Sequence, residues 1–572
     1  MIEFTLEGLK HNAQEAEITE IIKDEGDKII EGEILFKVET EKATQDISAN
    51  TNGIIKEIMV EVGDKVELGA PLARIKEEIM ENEESDIKEE ADESETYNLI
   101  SKDEEKQLNT QITIIGAGPG GYVAAIQAAK MGADVVLIEK DKLGGTCLNR
   151  GCIPTKALVR SGEVFNEIKS SEKYGFEVKN VKLDMQKIME RKNNIVNRLR
   201  QGIKHLMQKN GIQVINGKGK VEDQNTVTVS NERHKYIINT ENIIIATGSN
   251  PWKLPIPGND LPGVLNSKDA LELKELPEKI VIIGGGYIGL EFAFIFNNLG
   301  VEVTVAEYLN KCVASCDNEV CREITEIAEK KGINIYTRAE VTEIFESLNG
   351  EYVVKFNNQQ KEKYITGDKV LMAVGRKPNF SGINPEKLNL GLDENDRGIK
   401  VNEKMQTSIP NIYAIGDVTD KYQLAHVASH QGILAVKNIM GKDKEIDYSA
   451  VPSAIFTDPE IATVGLQETE AKEQGIEVEV SKFPFNANGK VLVQGKEEGF
   501  LKIVKNRQTD AVVGAAILGV HASDLIAELT LAVNNELTAE QIAETIHTHP
   551  TLSEVVHEGA LQLAGGALHY SE

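Results

Sequence analysis

Long apolar runs are missing. No stretch of roughly eighteen apolar residues occurs among the 572, which speaks against a membrane-spanning helix. Cysteine is scarce: five in the whole chain are too few for a disulfide scaffold and agree with a reducing cytosol. The opening residues, MIEFTLEGLK, lack the basic-then-apolar layout of a secretory signal and are too acidic for a transit peptide. A cytoplasmic protein is therefore expected. Basic residues are also in deficit, 63 Lys and Arg against 91 Asp and Glu, for a formal net charge of −28. That deficit is uneven: residues 1–76 hold 17 acids and 9 bases, and residues 77–106 hold 14 and 3, so −8 and −11 leave only −9 for the rest. The acidity belongs to an N-terminal module and its tail, and it argues against a nucleic-acid partner.

The most informative stretch present is GGTCLNRGCIPTK, Gly144 to Lys156. Cys147 and Cys152, with four residues between them, can close a disulfide if the turn brings their α-carbons within about 7 Å. Alone, such a pair reads as a structural disulfide or two buried thiols. Two glycine-rich fingerprints bracket this one and favour a redox role.

The first fingerprint runs from Gln111 to Glu139: a β-run (ITIIG), then Gly116, Gly118 and Gly121, a helix, and a second strand ending in an acid. The glycines allow a tight turn against a pyrophosphate, the helix N-terminus favours its charge, and Glu139 can bond a ribose diol. The second runs from Val281 to Glu307, with Gly284, Gly286 and Gly289 in the same order, each 168 positions after its counterpart in the first. Glu307 would repel a 2′-phosphate, so NAD is expected rather than NADP. IIIATGS (Ile243 to Ser249) and IYAIGD (Ile412 to Asp417) have the form of strands crossing back to a nucleotide. Cys312, Cys316 and Cys321 match neither zinc nor iron–sulfur spacing and read as ordinary thiols, so no metal site is expected.

Ahead of these, EGDKIIEGEIL (Glu25 to Leu35) recurs as VGDKVELGAPL (Val62 to Leu72), with Gly63 37 positions after Gly26. This predicts a small all-β unit of two similar halves, with Glu41-Lys42-Ala43 midway, where the repeat would place a hairpin tip. Residues 77–110 are rich in Glu and Asp and too polar to offset their ordering entropy, so a flexible acidic tether is expected. Such a tether would span roughly 30 Å on average and on the order of 110 Å when stretched. Near the C-terminus, HTHPTLSEVVHEGA places His549 before a proline and Glu554 five residues on. A histidine can exchange a thiol proton at neutral pH, and a carboxylate can orient it.

Residues 1–76 resemble a lipoyl (biotinyl-like) carrier domain, which makes Lys42 the implied site of covalently attached lipoate. GGTCLNRGCIPTK, both glycine fingerprints, AVGRKPN, YAIGD and HTHPTLSE occur in the order found in flavin disulfide oxidoreductases, and most closely in the dihydrolipoamide dehydrogenase family. That resemblance spans roughly residues 111–572. It implies an α/β fold: two Rossmann-like nucleotide-binding domains plus an α+β C-terminal dimerisation domain, preceded by the small all-β lipoyl domain. The expected segments are 1–76 (carrier), 77–110 (linker), 111–255 (FAD), 256–378 (NAD), 379–450 (central, completing the FAD site) and 451–572 (dimerisation).

The resemblance also implies roles. Cys147 exchanges with a dihydrolipoyl sulfur and Cys152 faces the flavin. His549, oriented by Glu554 and supplied by a second subunit of a homodimer, removes the thiol proton. Lys156 and Glu291 lie near the flavin ring. Gly116, Gly118, Gly121, Glu139 and Asp417 hold FAD, and Gly284, Gly286, Gly289 and Glu307 hold NAD. Lys140, Lys156, Gly219, Ala425, Val341 and Gly375 are further cofactor-binding positions. Implied partners are the E1 and lipoyl-bearing E2 subunits of a 2-oxo acid, acetoin or glycine cleavage complex. Rival readings are another nicotinamide-dependent disulfide or mercuric reductase, and a non-catalytic lipoyl scaffold. The tail GGALHYSE has no extra cysteine pair for the mercuric form, and the intact Cys147, Cys152 and His549 set argues against the scaffold.

Overall fold

A computed structural model describes residues 2–6, 13–29, 34–40, 43–51, 53–77, 104–231 and 234–571. The chain divides into two compact units, Met1–Ile100 and Ser101–Glu572.

Among its described residues the first unit is all-β, two four-stranded sheets whose halves repeat each other. Gly26 and Gly63 both adopt left-handed φ, +96° and +100°, which a side chain would resist. Each donates its N–H across to the other half, Gly26 to Ile55 O at 2.8 Å and Gly63 to Ile18 O at 2.7 Å. Asp27 and Asp64 then close the two turns alike, accepting from Asp24 N at 3.0 Å and Glu61 N at 2.8 Å. Strand alternation fills the interior with Phe4, Ile18, Phe36, Val38, Ile55 and Ile75, each worth about 1.5–3 kcal/mol on burial. Strand Ile34–Thr40 pairs antiparallel with Ala43–Ser48, ending in the pair Thr40↔Ala43. Lys42 itself lies outside the described residues, as do residues 78–103 of the expected tether.

The second unit opens with a strand that begins earlier than its sequence predicts. Glu104–Ile115 pairs in parallel with His234–Ile245 along its full length, so residues 104–110 are strand rather than tether. Their polar side chains misled the composition argument. They pair across the strands instead, Asn239 Nδ2 to Asn109 Oδ1 at 3.1 Å and Lys235 to Glu105 at 3.2 Å, while the backbone groups are satisfied in the ladder.

This strand is central to the first nucleotide sheet, ordered Gln213–Asn216, Val135–Glu139, Glu104–Ile115, His234–Ile245, Thr226–Ser230 and Lys218–Asp223. Ile412–Ala414 adds in parallel to His234–Ile245, so the chain beyond residue 379 returns to this sheet. Helix Pro119–Lys130 starts with proline at its first turn and lysine in its last, both favourable placements. It packs on helix Ala425–Ile439 at unusually close range: a Cβ on Gly432 would stand 2.6 Å from Gly120 O.

The second nucleotide sheet is five parallel strands: Val264–Leu265, Lys369–Met372, Lys279–Ile283, Glu302–Ala306 and Asn334–Tyr336. Their near-continuous Ile and Val runs fit strands covered on both faces. A three-stranded antiparallel sheet, Ala339–Glu346, Tyr352–Asn358 and Lys361–Gly367, follows Asn334–Tyr336 in the chain. The C-terminal part is a five-stranded antiparallel sheet, from Ser453–Ile455 to Val478–Pro484, covered by helices Ala522–Asn534 and Glu554–Ala564. The fold is thus the expected α/β arrangement of two Rossmann-like domains, an α+β C-terminal domain and a small all-β N-terminal module.

Candidate active site

The two glycine turns are built alike. Gly116 and Gly284 both have φ +105°. A Cβ on Gly116 would meet Ala246 O at 2.3 Å, and one on Gly284 would meet Ala373 O at 2.5 Å. ATG (Ala246 to Gly248) and AVG (Ala373 to Gly375) are therefore equivalent return loops, each pressed on its turn. Gly121 and Gly289 close the helix starts, where a Cβ would stand 1.8 Å from Gly116 O and 1.9 Å from Gly284 O. Gly118 and Gly286 cap those helices with extended backbone.

The acids at the strand ends repeat the symmetry. Glu139 accepts from Ala117 N at 2.7 Å and Asp141 N at 2.9 Å. Glu307 accepts from Gly285 N and from Leu309 N at 2.7 Å. Each carboxylate thus sits over its glycine turn, where a ribose diol would lie.

Cys147 and Cys152 form a disulfide, with α-carbons 4.7 Å apart. Cys147 lies in the short helix Gly145–Arg150, and Cys152 is the first residue of helix Cys152–Lys169. The short helix abuts the first turn: Gly145 has φ +58°, and a Cβ there would stand 2.5 Å from Gly118 Cα. The redox pair is thereby fixed to the first nucleotide turn rather than the second. Asn149, within the same motif, donates to Leu143 O and Gly145 O, both at 2.9 Å. Its Oδ1 and the nearby return loop's Thr247 Oγ1 are buried without a protein partner. These two orphaned oxygens and the glycine cradle are what a bound dinucleotide's polar groups would satisfy, so the residues fit FAD here. The open space around Gly286, with Glu307 above, fits NAD at the second turn.

Lys156, one turn into the long helix, donates to both oxygens of Glu291 at 2.8 and 2.9 Å. Glu291 comes from helix Tyr287–Asn298 of the second nucleotide domain and also accepts from Phe456 N at 3.1 Å. The Lys156 ammonium lies 4.1 Å from the Phe456 ring centroid. Three segments thus meet at one ion pair.

Asp417 accepts from Ser249 Oγ, which in turn accepts from Arg376 Nε at 2.7 Å. Burial holds the Arg376 guanidinium below its ordinary value, helped by Arg150 and opposed by Asp417. Ser249 and Arg376 follow the two return loops, and their strands pair antiparallel, Ser249–Pro251 with Arg376–Pro378. Sequence reasoning did not single out Ser249, Arg376, Asn149, Thr247 or Phe456. For the first two the signal was there, since both stand one residue past the third residue of ATG and AVG.

His549 Nδ1 bonds Glu554 Oε1 at 2.9 Å, and Thr551 N donates to Glu554 Oε2 at 2.8 Å. Burial raises the Glu554 carboxyl, but the Thr551 amide and His549 outweigh it and leave the group below its ordinary value. The imidazole is 79% exposed, and Glu554 is its hydrogen-bond partner, not either cysteine.

Of the remaining expected positions, Lys140 is exposed beside Glu139. Gly219 lies in a strand where a Cβ would meet Ile115 and Ile138, the residues just before Gly116 and Glu139. Ala425 opens the helix packed on Pro119–Lys130. Val341 pairs with Phe356 in the three-stranded sheet, and Gly375 closes the second return loop with φ +112°.

Cys316 and Cys321 repeat the Cys147–Cys152 separation after the second fingerprint, yet they are free thiols. Burial pushes Cys316 up to about 12, and burial with Glu307 does the same to Cys312, so neither is a ready thiolate. Among the described residues, no group of three or more His, Cys, Asp or Glu could hold a metal ion.

A disulfide clamped to one of two alike glycine turns, each with a carboxylate held over it, is the arrangement of a pyridine nucleotide-disulfide oxidoreductase. Comparison with known proteins agrees. Residues 110–432 match the pyridine nucleotide-disulphide oxidoreductase family, 451–560 its dimerisation domain, and 11–75 the biotin-requiring enzyme family of carrier domains. Dihydrolipoyl dehydrogenase of Chlamydia pneumoniae is 47% identical over 459 residues, covering 80% of this chain and 97% of that protein. A dihydrolipoyl dehydrogenase of Bacillus subtilis is 41% identical over 464 residues, covering 81% and 98%. Among solved structures, LpdA from Mycobacterium tuberculosis superposes with TM-score 0.74 at 27% identity, covering 79% of this chain and 99% of that one. The Cu(II) complex of the HOCl-induced flavoprotein disulfide reductase RclA from Escherichia coli superposes with TM-score 0.72 at 30% identity, covering 80% and 99%. The chain belongs to the dihydrolipoyl dehydrogenase family.

Proposed function

We propose that the chain oxidises protein-bound dihydrolipoyl groups to lipoyl groups and reduces NAD, as the E3 member of a 2-oxo acid, acetoin or glycine cleavage complex. The observation that carries this reading is the Cys147–Cys152 disulfide held against the Gly118 turn through Gly145.

His549, with Nδ1 held by Glu554, has Nε2 to accept the proton of a substrate thiol. Because one chain's His549 bonds its own Glu554 and not the cysteines, the reading places it over the disulfide of a second copy in a homodimer. The thiolate so formed attacks Cys147, making a mixed disulfide and releasing Cys152 as thiolate. Cys152 opens an eighteen-residue helix, and the partial positive charge of that N-terminus favours the anion. The second substrate sulfur then displaces Cys147 from the mixed disulfide, its proton passing to Cys147, which leaves as a thiol, while the imidazolium releases the first proton to solvent. The substrate has lost two electrons and the cysteine pair has gained them. FAD, held by the first turn, would supply the acceptor for that electron pair, and NAD, held by the second, the final hydride carrier. Lys156 and Glu291, locked together, would fix the charge beside the flavin. Glu139 and Asp417 would hold FAD and Glu307 would hold NAD. Lys42 would carry lipoate, and E1 and lipoyl-bearing E2 subunits would be the partners.

Replacing Cys152 by serine tests the reading. The variant is expected to keep its yellow colour and lose dihydrolipoamide-dependent NADH formation. A colourless wild-type preparation, or a variant with undiminished turnover, would overturn it. Intact mass should show a lipoyl increment under lipoate-replete expression, abolished by Lys42→Arg.

A further inference from the structure

The run HTHP places His547 two residues before His549, and the two rings have opposite surroundings. The His549 side chain is 79% exposed and that of His547 only 6%. His547 is bound through both ring nitrogens: Nδ1 bonds Thr545 O at 2.8 Å, and Nε2 bonds Glu528 Oε1 at 2.8 Å. Its face lies on the His557 ring, with centroids 4.8 Å apart and planes 17° from parallel. Glu528 belongs to helix Ala522–Asn534 and His557 to helix Glu554–Ala564. One side chain therefore ties the loop to both helices that cover the C-terminal sheet.

Little else holds this part of the chain. From Glu544 to Pro550 every residue except His547 is exposed. Ile546, which could have packed inward, is 96% exposed. The other pegs stand at the two ends of the loop. At its entry, His557 Nε2 bonds Ala543 O at 2.9 Å, taking up a carbonyl left over where helix Ala539–Ala543 stops. At its exit, Asn488 Nδ2 donates to Thr551 O at 3.1 Å, and Thr551 N donates to Glu554. Thr551 Oγ1 also donates to Thr548 O at 2.6 Å, which closes the turn around His549. Between entry and exit the buried anchor is His547.

We infer that His547 is a positioning residue for the proposed reaction: its two hydrogen bonds and its stack on His557 fix the backbone from which His549 projects. This rests on His549 being the base. The bond to Glu554 orients the His549 ring, but where that ring stands is set by the loop that carries it. A base that serves the disulfide of a second copy gets no guidance from its own cysteines, so its placement must be built into its own chain. His547 cannot share the proton transfer, because both of its nitrogens are already engaged. A displacement of about 1 Å at a reacting group can cost on the order of a hundredfold in rate.

The test uses the flavin-loaded enzyme and two reactions. One is NAD reduction by dihydrolipoamide, which needs His549. The other is NADH oxidation by a small quinone, which takes electrons at the flavin and needs no thiol. His547→Phe keeps a ring on His557 and loses both hydrogen bonds. Glu528→Leu removes the same tether from its far end, without touching the loop. Each should lower kcat/KM for dihydrolipoamide by about tenfold or more and leave the quinone rate within about twofold of wild type. Glu528→Gln keeps an acceptor oxygen for the ring and should recover most of the loss. In a His549→Gln background, His547→Phe should cost nothing further, because it acts only through the base it positions. Undiminished dihydrolipoamide turnover in His547→Phe, a parallel fall in the quinone rate, or the same loss again in the His549→Gln background would overturn the inference. His549→Gln alone is the control for the underlying reading: if it keeps full activity, that reading fails, whatever His547 does.

Discussion

Glu291 and Lys156 grip each other through both carboxylate oxygens, though 135 residues separate them in the chain. The pair joins the redox helix to the second nucleotide domain, and Phe456 N adds the C-terminal domain. Glu291 is 10% exposed and Lys156 30%, so solvent screens the bond only in part. Glu291→Gln should lower stability by about 1–2 kcal/mol, less than a fully buried pair would cost, read as a reduced urea midpoint.

The contact between Gly145 and Gly118 leaves no room for a methyl group. Gly145→Ala would force a Cβ to 2.5 Å from Gly118 Cα and hold alanine at φ +58°. The left-handed backbone alone costs about 1–2 kcal/mol. The expected outcome is flavin loss: after gel filtration, absorbance near the flavin band per chain should drop well below wild type, with the lipoyl module's mass unchanged.

Glu307 holds its turn through Gly285 N and Leu309 N, and under the proposed function it also selects the nucleotide. Glu307→Gln keeps an acceptor oxygen and removes the charge. Weakening a charge-assisted bond, worth about 1.5–3 kcal/mol, should cut kcat/KM for NAD roughly tenfold or more. NADP, no longer repelled, should gain relative to NAD, and steady-state rates with NAD and with NADP as acceptor measure the ratio.

The tail after helix Glu554–Ala564 is clamped by Glu558, which bonds His569 Nδ1 and accepts from Leu568 N and His569 N. This clamp should be strongest at intermediate pH. His569 is raised above 6.5, so its contribution is complete below that value and fades as pH rises through the raised one. For Glu558, burial raises the carboxyl but the His569 bonds more than offset it, leaving it below 4.5. Its contribution is present above 4.5 and fades as pH falls through the lowered value. Hydrogen exchange at the Leu568 and His569 amides, corrected for intrinsic rate, should show maximal protection between these limits and loss on both sides.

What was legible in the sequence was whatever chemistry leaves no freedom over. A turn that presses on a return loop must be glycine, so Gly116 and Gly284 announced themselves. A disulfide relay needs two cysteines at a set spacing, and Cys147 and Cys152 stood out for that reason. Residues whose role depends on distant partners were hidden. Nothing local marks Glu105 or Asn109 as strand, because the strand that orders them lies some 130 residues away. Arg376 reaches Ser249 across 127 residues, and only the repetition of ATG and AVG hinted at it. His569 and Glu558 are near in sequence, yet their meeting depends on Gly565 and Gly566, with φ +156° and +129°, reversing the chain.

The ribbon formed by Ser249–Pro251 and Arg376–Pro378 carries a consequence for how this architecture can evolve. Neither Rossmann half finishes its own return loop: Ser249 is completed by the guanidinium of the other half, and Asp417 by that serine. The halves are built alike but are not interchangeable cassettes. A chimaera that takes one half from a relative must bring Ser249 and Arg376 across as a matched couple, or it will inherit two cradles with a broken seam.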